Sequence, residues 1–153
     1  MVIYMVCGEV IKMESIADIM LKEHAKLEAG VIELERIMDH VELKECFSKL
    51  KWNLDKHFFV EEKVIFNVLD FNNEVESEEI ERILKDHKDI MWSIKKIGDA
   101  FDEGLRPDLS DLREELKAHS KFEDSIFYPK LDEGLDEKLK KVVMDRTGEI
   151  LRG

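Results

Sequence analysis

Apolar residues recur at three- and four-residue steps in four long stretches of the chain. In the first they fall at Ile16, Met20, Leu27, Val31, Leu34 and Met38, with His24 filling the one gap on that face. This is the period of an amphipathic helix, and Ser15 just before it is a capping residue. Asp39, with Glu42 three positions later, forms a capping pair that opens a second helix through Phe47, Leu50, Leu54, Phe58, Ile65 and Leu69. Asn72 and Asn73 interrupt the pattern. Ser77 is expected to start a third helix, ended by Gly104 and Pro107. Asp108 or Ser110 opens a fourth that stops near Gly134, and a shorter one is expected over residues 136–151.

No stretch is left over to build a sheet, so the predicted class is all-α. Helices of roughly 25 residues with short connections pack antiparallel to their sequence neighbours. The predicted architecture is an antiparallel up-down-up-down four-helix bundle with a short C-terminal extra helix. Residues 1–12 are read as an N-terminal tail, 13–135 as the bundle and 136–153 as a short helix packed on it.

Composition agrees with this picture. The 153 residues include only two prolines and seven glycines, too few to punctuate a many-stranded β protein, while 44% hydrophobic residues suffice for one core. The net charge of −12 repels nucleic acid and anionic membranes, so neither is expected as a partner. Cys7 and Cys46 show no metal-site spacing and no disulfide framework, which points to a reducing cytoplasm. The apolar run at residues 1–6 is too short to span a membrane and lacks the basic start of a secretory signal.

The chain also repeats itself. LKEHAKL around His24 matches LKDHKDI around His87, 63 positions later, and HFFVEEKVIFNVLD from His57 matches HSKFEDSIFYPKLD from His119, 62 positions later. A repeated helix pair gives a bundle approximate two-fold symmetry, and symmetric ligand pairs are what a two-metal centre needs. His57–Glu61 and His119–Glu123 each place an imidazole and a carboxylate one helical turn apart. A single such step is weak evidence, because His24–Glu28 fits it as well. Height along the bundle is stronger evidence. Counted from the expected turns, His24, His57, His87 and His119 all lie roughly 21–27 Å from the bundle ends. Four unpartnered imidazoles buried at one level are costly, and metal ligation removes that cost. Nitrogen and oxygen donors without thiolate suit iron, manganese or zinc, and the doubled supply favours two ions.

At these residues the chain resembles the hemerythrin family, in its broad class of hemerythrin-like HHE cation-binding domains. The resemblance covers about residues 15–132 and is carried by LKEH, HFFVEEKVIF, LKDH and HSKFEDSIFYP. It implies two iron ions, with manganese as an alternative, joined by an oxo or hydroxo bridge. His24, His57, His87 and His119 would be terminal ligands, Glu61 and Glu123 the bridges, and dioxygen or a related small oxidant the partner. The oxygen carriers have HxxxH on the third helix, whereas this chain has Met91 in HKDIM. Thioether suits a hard iron site poorly, so Met91 is read as packing. The carriers also have HxxxxD on the fourth helix, a step that Asp124 fits; Glu123 is preferred because its repeat partner is Glu61.

Two imidazoles per iron leave open positions on both metals. Such an open, symmetric site suits redox chemistry or sensing better than reversible carriage, and with the resemblance the expected function is binding or sensing of dioxygen. An enzyme of nitric oxide or peroxide defence is the first alternative, and an iron store or sensor the second. The same ligand set occurs in iron-centre repair proteins, which carry a cysteine-bearing N-terminal domain that residues 1–14 leave no room for. Glu28 could add an oxygen donor. His40 falls at a turn, and Cys46 is read as buried structure roughly 16 Å from the site. Tyr128 either reaches the site or fills core. Phe58, Phe59, Phe66, Trp92, Phe122 and Phe127 are expected to wall the histidines.

Overall fold

The computed structural model describes residues 3–6, 9–12, 14–69 and 74–152, with side chains for 14–69 and 77–152. Two short strands, β1 (Ile3–Val6) and β2 (Glu9–Lys12), pair antiparallel, with Ile3 opposite Lys12. The segment expected as an N-terminal tail thus contains a pair of short strands. Everything else described is helical or connecting: α1 (Ile16–Arg36), α2 (His40–Phe59), α3 (Phe66–Val68), α4 (Glu74–Asp102), α5 (Ser110–Phe122), α6 (Tyr128–Gly134) and α7 (Glu137–Arg152). Two π-helical segments join these into longer rods, Val60–Ile65 between α2 and α3 and Glu123–Phe127 between α5 and α6.

The starts of α1 and α2 are fixed by their caps. Ser15 and Asp18 exchange side-chain-to-backbone hydrogen bonds in a complete capping box. Asp132 of α6 then accepts from the free amides of Ile16 and Ala17, so a tertiary contact finishes what the local cap leaves open. Asp39 accepts from the Glu42 amide at the head of α2. Helix α4 starts at Glu74, three residues before the expected Ser77. The expected break at Asn72 and Asn73 lies outside the described residues. Gly104, at φ 78°, takes the left-handed conformation that ends α4 as expected.

The buried face of each rod meets its neighbours at defined points. An added Cβ on Gly30 of α1 would meet Leu50 of α2 at 3.0 Å, and one on Gly98 of α4 would meet Phe47 of α2 at 3.0 Å. Phe47 also packs edge-on against Phe101 of α4. Ser93 of α4 donates to Glu115 of α5, and Arg113 of α5 pairs with Glu35 of α1. The result is a helical bundle.

Its apolar core falls into two clusters. Leu27, Val31, Leu34, Leu50, Leu54, Ile94 and Leu116 belong to one, towards the turn between α1 and α2. Ile16, Met20, Ile65, Ile83, Tyr128 and Leu131 belong to the other, which Val143 of α7 completes. The four histidines lie between them. Among the described residues no helix is long and apolar enough to cross a membrane.

Candidate metal centre

Helical period alone places His24, His57, His87 and His119 on the inner faces of α1, α2, α4 and α5. All four are buried, and Glu61 and Glu123 are fully so. The rings of His24 and His57 have centroids 4.9 Å apart, those of His87 and His119 5.0 Å. Their ligand-capable atoms fall into two groups, His24–His57–Glu123 and Glu61–His87–His119, with the atoms of each group within 4.8 Å of one another.

The two carboxylates connect these groups. Oε1 of Glu61 is 2.9 Å from Nε2 of His57, 3.3 Å from that of His87 and 3.9 Å from that of His119. Oε1 of Glu123 is 3.2 Å from Nε2 of His24 and 2.7 Å from that of His119. Despite these distances, all four Nε2 atoms, Oε1 of Glu61 and both oxygens of Glu123 are buried without a hydrogen-bond partner. Buried polar atoms left unpaired in this number are costly, and cations between them would satisfy every one. The donor set therefore fits metal ions, with the carboxylates reaching imidazoles of both groups.

Burial by itself would push the Glu61 carboxyl up, but the imidazoles of His57, His119 and His87 outweigh it and hold Glu61 well below the usual carboxylate range. Glu61 is thus an anion ready to ligate. Its other oxygen, Oε2, accepts from the Tyr128 hydroxyl at 2.6 Å. Burial, and then the Glu61 charge, push the Tyr128 phenol well above its ordinary value, so it stays protonated as a donor. Tyr128 is both core and a partner of the site. Tyr128→Phe leaves Oε2 buried and unpaired, and should destabilise the metal-free protein by about 1–3 kcal/mol. Denaturant unfolding of the metal-free variant beside the parent measures this.

The outward nitrogens are also held. Nδ1 of His24 is 2.8 Å from Asp124, Nδ1 of His87 is 3.3 Å from Glu62, and Nδ1 of His119 is 3.2 Å from Asp86. Asp86 is kept below its ordinary range chiefly by its bond to His119. Such partners fix ring orientation and tautomer, directing Nε2 inward. Asp124, the alternative to Glu123, thus stands outside the ring it supports. The sequence reading missed the outer roles of Glu62, Asp86 and Asp124. The repeat held a signal, since Glu62 and Asp124 occupy equivalent positions beside Glu61 and Glu123.

Both glutamates sit in π-helical turns, which the sequence reading also missed. The widened turns close with the Phe66 amide on the Glu61 carbonyl and the Tyr128 amide on the Glu123 carbonyl. Equivalent repeat positions open the ladder in each rod. Pro129 has no amide to donate, and the Asn67 side chain takes the Lys63 carbonyl. Single π turns inside α-helices are frequent at functional sites.

Other expectations fall outside the two groups. Glu28 is partly buried, His40 is the partly buried first residue of α2, and Cys46 is a free thiol packed against the core. Met91 also packs there and lines a cavity of about 350 Å³ beside His87, Phe58 and Glu62. Phe58 stacks on His87 with centroids 3.9 Å apart. Phe66, Phe122 and Phe127 are buried as expected, but Phe59 and Trp92 are 52% and 60% exposed. Each lies about 100° around its helix from a buried or packed neighbour, Phe58 and Met91, and so points outward.

The family model of the hemerythrin HHE cation binding domain matches residues 15–131. Neither a curated protein nor a solved structure matches the chain.

Proposed function

The chain belongs to the hemerythrin HHE cation-binding domain family, and from that membership we propose that it holds two iron ions and binds or senses dioxygen. The observation that carries this reading is the convergence of four imidazole nitrogens and two carboxylates in two adjoining groups, with every inward atom unpaired. His24 and His57 with Glu123 would hold one ion, and His87 and His119 with Glu61 the other, with each carboxylate also reaching an imidazole of the opposite group, Glu61 to His57 and Glu123 to His119. Nitrogen and oxygen donors of this kind suit iron, with manganese as the alternative. Iron, when bound, would supply electrons to a small oxidant, and the six inner residues would hold it.

The protein's own part is to hold and to shield. Asp124, Glu62 and Asp86 keep three imidazoles in the ligating tautomer, Tyr128 fixes the rotamer of Glu61, and the two apolar clusters exclude water above and below. The cavity beside His87 would give a small molecule its approach. We read the bundle as up-down-up-down, because contacts advance along one helix as they recede along the next: His24 and Gly30 meet His57 and Leu50 in turn. The acidic charge and the cysteine usage favour a cytoplasmic protein without nucleic-acid or membrane partners.

Ferrous protein prepared without oxygen and then exposed to air should develop near-ultraviolet and visible absorption that reverses when oxygen is removed. Absorption that fails to appear would contradict dioxygen binding. A second reading, turnover of nitric oxide or peroxide, is favoured by the even supply of two imidazoles per group, which leaves positions open on both ions. Catalytic consumption of either molecule would select it.

A further inference from the structure

The internal repeat gives each imidazole a counterpart, His24 with His87 and His57 with His119. Each counterpart should carry an equivalent outer carboxylate, and for the first pair this holds: Asp124 supports His24 and Glu62 supports His87. The second pair breaks the symmetry. Asp86 supports His119, but Glu23, its repeat counterpart, accepts from Lys26 at 3.2 Å instead. Nδ1 of His57 is buried with no hydrogen-bond partner among the described residues.

An outer carboxylate orients the ring, presents the correct tautomer and raises ligand basicity, and its loss typically costs about 10–100-fold in metal affinity. Sorted by group, both imidazoles beside Glu61 are supported, those of His87 and His119. Only one of the two beside Glu123 is, that of His24. The Tyr128 hydrogen bond does not offset the difference. It occupies Oε2 of Glu61, while Oε1 is the oxygen that faces His87 and His119.

We propose that the two metal positions fill in order: the Glu61–His87–His119 position first, and the His24–His57–Glu123 position second, with about 10–100-fold weaker affinity. The second is then the exchangeable ion, lost first to a chelator. This inference rests on the two-metal reading and assigns its asymmetry to Asp86 and to the unsupported His57.

Anaerobic titration of the metal-free full chain with cobalt(II), followed by calorimetry and visible absorption, tests it. Two ions should bind in two steps whose dissociation constants differ at least tenfold. Asp86→Asn should weaken the first step by about 10–100-fold and bring the steps together. Asp124→Asn should weaken only the second and widen the gap. Glu62→Gln provides an independent route to the first step through His87, should Asp86→Asn fail to fold. Two equal steps, or Asp86→Asn acting on the second step alone, would overturn the order of filling while leaving two metals standing. Uptake of a single ion by the parent would overturn the two-metal reading, and the proposal with it.

Discussion

Replacing Glu61 with alanine should cost at least about 100-fold in metal affinity, more than the 10–100-fold expected for Glu62→Ala. The two residues are adjacent in sequence but differ in position. Glu61 is fully buried, and its Oε1 approaches imidazoles of both donor groups. Glu62 is outside, partly exposed, and meets His87 at its outer nitrogen, Nδ1. Loss of Glu61 removes a donor from both positions, whereas loss of Glu62 loosens one ring. Glu61→Gln keeps a partner for Tyr128 and separates lost ligation from lost packing. Competition with a chromophoric chelator gives the affinities. Equal losses at the two positions would contradict the assignment of inner and outer carboxylates. Glu123→Ala and Asp124→Ala form the matching pair on the other rod, with the same order expected.

Removing the metal should lower the melting temperature of the protein by about 8–16 °C. Seven inward-facing buried atoms of the six inner residues, the four Nε2 atoms, Oε1 of Glu61 and both oxygens of Glu123, lack hydrogen-bond partners unless cations satisfy them. An ion bound only by the folded chain adds about 4 kcal/mol when its free concentration is a thousand times its dissociation constant. For a chain of this size each kcal/mol moves the midpoint by about 2–4 °C. Thermal unfolding followed by circular dichroism, with and without chelator, measures the shift. An unchanged midpoint would mean that the buried donors are already satisfied and that the site has no need of cations.

Much of this arrangement can be read from residue pattern, because helical period fixes which side chains face inward. His24 occupies an apolar slot in α1, and counting along four helices of similar length brings the histidines to one level. Ser15 and Asp39 mark helix starts because their side chains satisfy free amides that no other local group reaches. The pattern is silent where the outcome depends on contacts between helices. Whether Asp124 ligates or supports a ligand is decided by where α1 passes the π-helical turn after α5. The hydrogen bond from Tyr128 to Glu61 joins residues 67 positions apart. The π turns leave a faint trace. Phe58, Val60, Val64, Ile65 and Phe66 are all buried, a wider face than an α-helix turns to its core. The exposure of Phe59 and Trp92 was also hidden, since aromatic residues attract a core assignment whichever way they face. The strand pair of β1 and β2 carries too short a pattern to distinguish from a tail.

Six residues of one chain are proposed to hold a pair of metal ions. Elemental analysis of the purified protein after anaerobic reconstitution with ferrous iron and removal of loosely bound metal tests this most directly. Two irons per chain are expected, falling to one or none in Glu61→Ala. A single ion in the parent would contradict the two-metal site, and a content unchanged by the loss of Glu61 would contradict its role as a ligand.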